Sequence, residues 1–489
     1  MNSRSHSPVR GATPRAGVLP VALTGAGAAA ALVWGPLAAA LVAVGSLWMS
    51  LVSLPAVLSM YIVLAAFPIG VTFHGHHFEL SDVVALMAMA GLIRKFRAER
   101  TNMISGFLAK PFRGPLVLLF GLAVLSLAVS ISHVTTVVKI LEYVEFFLVI
   151  VAVAHDAGWD ERAWRLILLS LFVTVAAVAL YGTWQFLFQI GPAANIIDTY
   201  HIRADAWFGQ PNAFGGFVGD TFPLLLALVW AGPEWARRSW LLWALLAVDA
   251  LGVMVSFSRG AWVADAGAVF FMGVLALSLG GWKQIGWRYL LAGIAVPVAM
   301  FVVVYLLGKV NLTGHAITAV SYQTTGARLR SSVTAVFNPN GHFNTAQRLI
   351  IWKSAIAAMV SHPWLGVGLG GFHRYIATHP PKGLALVPPM AHNLYFEWGA
   401  DLGVGGIVAA LWLQWTWLST AIGAMRRRAR TWPRFWYALG LGAFGTVVSF
   451  IMHNWVDFMI DHGVIVPLLM AMAILWVLSD RVANRRRGH

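Results

Sequence analysis

"YLLAGIAVPVAMFVVVYLL", residues 289–307, runs for nineteen positions without a charged side chain. At about 1.5 Å per residue, a helix of that length comes close to the ~30 Å hydrocarbon layer of a bilayer. Similar runs recur throughout a 489-residue chain that is 59% hydrophobic and 11% charged, with a mean hydropathy of +0.73. A water-soluble core cannot hide that much apolar surface, so the composition implies an integral membrane protein. The runs stay apolar for roughly 17 to 25 residues, which favours helices over a barrel because each helix satisfies its own backbone in lipid.

The expected fold class is therefore an all-α, polytopic membrane bundle. Spans are expected near 17–33, 36–53, 55–70, 79–95, 115–131, 136–154, 164–190, 212–230, 239–255, 260–279, 288–307, 393–423, 435–453 and 462–480. These are fourteen, falling to twelve or thirteen if weak boundaries such as Gly35–Pro36 do not separate two helices. The basic start "MNSRSHSPVRGATPR" has the charge of a signal-peptide front, but it is long and leads into further spans, so it reads as a tail. The absence of cysteine excludes disulfides and a thiol nucleophile.

Basic loops set the orientation. Residues 94–114 carry Arg94, Lys95, Arg97, Arg100, Lys110 and Arg113 against the single acid Glu99. The loop "MRRRARTWPR", the tail "RVANRRRGH" and the N-terminus have the same parity, which puts all of them in the cytoplasm. With the loops at 155–165, 233–238 and 281–288, the inner segments hold 24 of the 34 basic residues. The net charge of +15 is thus mostly topology, and no nucleic-acid partner is expected. The expected organisation is a basic tail (1–16), a transmembrane bundle (17–307), a large outer loop with amphipathic helices (308–391), further transmembrane helices (392–480) and a second basic tail (481–489).

The outer loop is unusual in charge. Its seven cations, Lys309, Arg328, Arg330, Arg348, Lys353, Arg374 and Lys382, face no Asp or Glu within the segment. Long loops cross the membrane regardless of charge, so the topology stands, but such a loop attracts anions, lipid headgroups among them.

Immediately after it comes "PPMAHNLYFEWGADLGVGG", residues 388–406. On a helix starting near 391, His392, Phe396, Gly399, Gly403 and Gly406 would share one face, with Glu397 and Asp401 on roughly the opposite side. The glycines then read as a helix-packing stripe, and His392 either as a cap or as a base at a helix end that favours neutral imidazole and nearby anions. Three other outer segments offer cations to an anion. "MVSFSRGAWV" carries Arg259 between two spans, and "NTAQRLIIWKSAIAAMVSHPWLGVGLGGF" predicts an amphipathic helix over about 345–360 with Arg348 and Trp352 at i, i+4. "TYHIRADAWFGQPNAFGGF" puts His201 and Arg203 ahead of a span opened by Pro211 and Asn212, a pattern that reads first as helix capping. Arginine suits a diphosphate because its planar, permanently charged fork donates paired hydrogen bonds to phosphate oxygens.

Two patterns are set aside. "GVGLGG" at 366–371 has dinucleotide-loop spacing but follows no strand. "HGHHFE" supplies His74, His76, His77 and Glu79 without a defensible metal-ligand spacing, and no paired acids of the D-x-D kind occur, so neither metal nor cofactor is expected.

Together these segments resemble the O-antigen ligases and related polysaccharide polymerases. "HNLYFEWGADLGVGG" fits the ligase pattern of His392, Asn393, nine residues and then Gly403 to Gly406, and "GQPNAFGGF", "SFSRGAW" and "RLIIWKSAIAAMVSHPWLGVGLGGF" are similar in order to the family's other landmarks. The resemblance covers roughly residues 205–425. It implies the fold of lipid-dependent glycosyltransferases and a bacterial inner-membrane enzyme with a periplasmic active site. Its implied donor is a glycan on undecaprenyl diphosphate, and its acceptor either lipid A-core (ligase) or a second lipid-linked glycan (polymerase); a protein acceptor is a rarer variant. Arg259 and Arg348 would bind the diphosphate, Arg203 with a looser alignment, and His392 would activate the acceptor hydroxyl.

The charge argument independently favours a metal-free, inverting transfer, since fixed cations can neutralise a leaving diphosphate while one base takes the acceptor proton. A transporter or flippase of lipid-linked glycan is the competing class, and would need polar residues lining a path through several spans. Charges inside the spans are few: Lys139, Glu142 and Glu145 together, with Asp220, Asp249 and Asp265 scattered, and Lys139–Glu142 reads as an i, i+3 pair.

Overall fold

The computed structural model describes residues 42, 44–49, 53–67, 70–73, 76–99, 112–158, 160–192, 195–196, 201–279, 285, 287–310, 312–313, 343–428, 431–461 and 463–484. The first expected span lies outside these residues, and of the second, 42, 44–49 and 53 are described. The remaining expected spans appear as helices: α1 (Leu54–Ala65), α2 (Leu80–Glu99), α3 (Arg113–Leu125), α4 (His133–Ala157), α5 (Glu161–Phe188), α6 (Pro211–Ala231), α7 (Trp240–Ser256), α8 (Arg259–Ser278) and α9 (Trp287–Leu307). Then follow α10 (Phe343–Ser361), α11 (Phe372–Thr378), α12 (Leu394–Leu402), α13 (Val404–Arg428), α14 (Arg434–His453) and α15 (Val466–Asn484). Six of these, α5, α6, α8, α9, α13 and α14, are long and apolar enough to cross a bilayer, and the chain is a multi-pass membrane protein.

One element departs from the all-helical reading. A two-stranded antiparallel hairpin, β1 (Gly70–Phe73) with β2 (His76–Glu79), sits between α1 and α2, with Gly70 opposite Glu79. At four residues per strand it leaves no apolar run to detect. The side chains of His74, His76 and His77 lie outside the described residues.

At the centre of the bundle, α6 packs on α14, α7 and α8. From Phe214 to Ala231 every residue of α6 is buried. Without a hydrophobic drive between helices in lipid, such contacts depend on small residues that let backbones approach. A Cβ at Gly442 would come within 2.9 Å of the Leu224 Cα, and one at Gly215 within 2.9 Å of the Ser258 Cβ. By contrast, α9 packs along one side and leaves Leu291, Val298 and Leu306 exposed, as a lipid-facing helix does.

A second, smaller core lies over one end of this bundle. Ile351, Ala355 and Ala358 of α10 meet Phe372 and Ile376 of α11, Ala400 of α12, Val367 and Ala391. The amphipathic helix expected near 345–360 is α10, and its apolar face is buried in this core.

The expected span 393–423 is broken into two helices. At Gly403 the backbone turns to φ +69°, ending α12, and Val404 N–H donates to the Pro363 carbonyl at 2.8 Å. Gly403 and Gly406 therefore do not continue a stripe with His392. A Cβ at Gly403 would collide with the Pro363 carbonyl, and one at Gly406 with the Trp398 carbonyl, so both glycines serve the kink. His392 precedes the helix altogether: Asn393 is the N-cap, accepting from Tyr395 N–H at 2.9 Å and Phe396 N–H at 3.1 Å.

Glu397 and Asp401 are likewise not on an idle face. Glu397 accepts from the Ala391 N–H, one residue before His392. Asp401 accepts from Gly370 N–H at 2.7 Å and Phe372 N–H at 2.9 Å. The glycine-rich loop thus spends its Gly370 amide on a carboxylate of its own chain. The expected Lys139–Glu142 pair is present at 2.7 Å, with Asp461 3.7 Å from the same ammonium.

Gly403→Ala should destabilise the fold by about 1–3 kcal/mol through the left-handed backbone alone, and by more if Pro363 cannot yield. A fall in the detergent melting temperature, larger than that of Gly273→Ala, whose added Cβ would meet nothing within 4 Å, checks it.

Candidate functional site

Three turns, each set by local sequence, converge at the end of the bundle beneath the small core. Between α7 and α8 the chain reverses through Phe257 at φ +50°, and Ser258 caps α8 by accepting from Ala261 N–H, so that Arg259 is the first helical residue. Ahead of α6, the segment carrying Arg203 is tied down on both sides: Arg203 N–H donates to the Asn195 carbonyl at 2.7 Å and Ala204 N–H to the Val255 carbonyl at 3.0 Å. After α14, Asn454 fastens the next turn, donating to the Phe450 carbonyl at 2.7 Å and accepting from Met459 N–H at 2.9 Å.

Between them lies a pocket of about 450 Å³, its open mouth included. Its lining includes Arg203, Asn212, Arg259, Arg348, His453 and Asp457. All three arginines singled out in the sequence thus face one space. Two helix N-termini, those of α6 and α8, open onto it, adding the partial positive charge of their first turns. With three guanidinium groups against one carboxylate, the lining carries a net charge of +2 and suits a polyanion.

Asp457, absent from the expected set, joins the pieces. Its carboxylate accepts from Asn212 Nδ2 at 2.7 Å and from Arg348 Nη2 at 3.3 Å, and its other oxygen lies 2.8 Å from His392 Nδ1. The side chain is only 2% exposed. Burial alone would push its pKa up, but His392 and Arg348 overcome that and hold the carboxyl well below the usual carboxylate range. In turn, Asn212 accepts from Arg203 Nη2 at 2.9 Å, while Arg203 Nε donates to the Ser256 carbonyl at 3.1 Å. A continuous chain therefore runs Arg203–Asn212–Asp457–His392, with Arg348 branching from Asp457.

His392 is held in a conformation that a non-glycine residue seldom adopts, φ +51°. Flanking contacts maintain it: Glu397 takes the Ala391 N–H, and Trp352 Nε1 donates to the Ala391 carbonyl at 3.0 Å. On the other side, Asn393 Nδ2 donates to the Trp455 carbonyl at 2.7 Å and Leu394 N–H to that of Asn454 at 3.1 Å. Asn393 thus both caps α12 and latches it to the Asp457 turn. An ionised carboxylate only accepts, so His392 Nδ1 donates to Asp457 and Nε2 is left facing away from it.

Two sequence readings change here. Asn212 is no cap, since Gln210 occupies that position and the Asn212 side chain is spent on Arg203 and Asp457. His201 does not reach the pocket; it is fully buried and stacked on Phe186 with ring centroids 4.6 Å apart. A second histidine, His453, does line it, its ring enclosed between Gly216 and Gly260, where added Cβ atoms would approach to 3.3 and 2.7 Å. Among the described residues, no three His, Asp or Glu side chains converge in a metal-binding arrangement. A sequence signal for Asp457 did exist: the segment 454–461 carries two acids, Asp457 and Asp461, where the 84-residue cationic loop has none.

Residues 244–411 match the family described as O-antigen ligase. The match takes in Arg259, Arg348 and His392, whereas Arg203, Asn212 and Asp457 fall outside it. No curated protein matches the chain.

The depressed Asp457 pKa has a stability consequence. The stabilisation is fully present above the unfolded carboxyl value of about 3.9 and is lost as pH falls from there towards the lower folded value. Asp457→Asn should lower stability at pH 7 by about 1–3 kcal/mol, because its half-buried partners lose a charged acceptor, and should flatten the loss below about pH 4. Melting curves of both proteins between pH 7 and pH 3 measure this.

Proposed function

Membership of the O-antigen ligase family, carried by residues 244–411, is the premise from which we propose that this protein transfers a glycan from undecaprenyl diphosphate to an acceptor at the periplasmic face of the bacterial inner membrane. The observation that carries the reading is the convergence of Arg203, Arg259 and Arg348 on one pocket whose Asp457 is bonded to His392. The acceptor in this reading is lipid A-core, in keeping with the His392–Asn393 and Gly403–Gly406 spacing. Polymerisation, with a second lipid-linked glycan as acceptor, uses the same chemistry and differs only in what enters beside His392.

In the proposed reaction the donor diphosphate lies among the three guanidinium groups and the N-termini of α6 and α8. Charge builds on the leaving oxygen as the sugar C1–O bond breaks, and preorganised cations in a partly enclosed site stabilise it without reorganising. His392 Nε2 takes the proton from the acceptor hydroxyl as the new C1–O bond forms on the opposite face of the sugar, which inverts the anomeric configuration. Asp457 keeps the imidazole in its required tautomer and stabilises the imidazolium once formed. A base of this kind contributes roughly 10²- to 10⁴-fold. Because three fixed cations serve the diphosphate, the transfer is proposed to need no divalent metal.

Purified protein supplied with undecaprenyl-diphosphate glycan, alone or with lipid A-core, tests this. One shifted lipid A-core band made by the wild type and reduced at least about 100-fold in His392→Ala is the expected result. A ladder from donor alone would assign polymerisation instead. Absence of any His392-dependent product would sink the transferase reading in favour of a carrier, and loss of activity in EDTA with recovery in Mg²⁺ would overturn the metal-free step. Arg259→Ala and Arg348→Ala should each lower turnover by more than Arg→Lys at the same position, since lysine keeps the charge but not the fork.

A further inference from the structure

A second cationic pocket lies between three connections that the basic-loop pattern assigns to the cytoplasmic side. Pro233, Glu234, Arg237 and Arg238 follow α6, Tyr289 opens α9 and Arg434 opens α14, and together they line a cavity of about 880 Å³, its mouth included. Three arginines meet there with a single acid, and that acid is already engaged, because Glu234 pairs with Arg238 one helical turn away. Arg237 is the central cation. Its guanidinium lies 4.0 Å over the Tyr289 ring, and its buried Nε has no hydrogen-bond partner among the described residues. Burial and the neighbouring Arg434 both lower its pKa. Two cations held this close, one with an unsatisfied buried donor, are an arrangement that a bound anion would relieve.

Surrounding side chains give the depth of the pocket. Trp235, Trp240 and Trp287 lie in the same connections as its lining and are 43%, 79% and 65% exposed. Exposed tryptophans next to apolar spans mark the headgroup level of a bilayer. Basic pockets between helices at that level on the cytoplasmic side are suited to lipid phosphates.

We propose that Arg237, Arg434 and Tyr289 form a binding site for the phosphate headgroup of an anionic phospholipid, separate from the glycan-transfer site. Arg237, held over the Tyr289 ring, offers its guanidinium to the phosphate. Arg434 supplies the second charge, and the lipid tails run beside the exposed apolar side chains of α7 and α9. The lipid ties the α6–α7 connection to the starts of α9 and α14, so it acts on stability and not on the transfer chemistry, and the site stands whether or not the proposed reaction does.

Full-length protein, delipidated in detergent and reconstituted in phosphatidylcholine discs with or without phosphatidylglycerol, provides the test by native mass spectrometry and thermal melting. The wild type should retain one phosphatidylglycerol in preference to phosphatidylcholine and melt higher with it. Arg237→Gln combined with Arg434→Gln should weaken that retention at least about tenfold, whereas the paired Lys replacements should keep most of it. Arg426→Gln with Arg427→Gln, which removes two exposed arginines of α13, should change little. Equal retention by the wild type and the Gln pair, or an equal loss in the α13 control, would overturn the site. Stabilisation by inorganic phosphate with no preference between the two lipids would overturn the lipid assignment.

Discussion

One buried carboxylate holds the pocket end of this protein together. Asp457 accepts from Asn212 on α6 and Arg348 on α10 and lies against His392 before α12. Taking a charge out of water is costly, and the cost is offset only when the charge is fully paired. Removing any one partner would leave the others with a buried charge incompletely matched, so the pieces are energetically coupled. The transmembrane bundle and the small core above it consequently share a polar joint as well as an apolar contact.

That joint explains the division of labour between the two cores. The bundle, with α6 and α14 buried along nearly their whole lengths, supplies the rigid floor bearing Arg203, Asn212 and Arg259. The smaller core suspends Arg348 and His392 over it. Glu397 and Asp401 bind backbone amides of the smaller core, so that the strained residue His392 is gripped through the peptide groups around it. Strain persists in folded proteins only where surrounding contacts over-determine it, and the backbone and side-chain bonds on either side of His392 do so.

Charge is distributed with the same economy on the two faces. At one end of the bundle, three arginines share one pocket with Asp457, leaving an excess that fits a doubly charged ligand. At the connections after α6 and before α9 and α14, Arg237 and Arg434 line one pocket whose acid, Glu234, is paired with Arg238. The same side chain meets an acid joined to other elements in one pocket and an aromatic ring in the other.

Much of this was legible in residues 1–489 taken as text. Apolar run length located α1 to α9, α14 and α15, since a span must satisfy its backbone within itself, but it ran α12 and α13 together, and α10 was read from its amphipathic pattern. Arg203, Arg259, Arg348 and His392 could be singled out because their chemistry is uncommon beside apolar segments. Tertiary structure decided the rest. The partners of Asp457 lie 65, 109 and 245 residues away, and no local pattern encodes a bond over such separations. The break at Gly403 escaped notice because a glycine reads alike in a packing stripe and at a left-handed turn; the collision with Pro363, from a distant turn, distinguishes them. Sequence thus determined which elements exist and which side chains could act, through local backbone and solvation rules, while packing determined which of them meet.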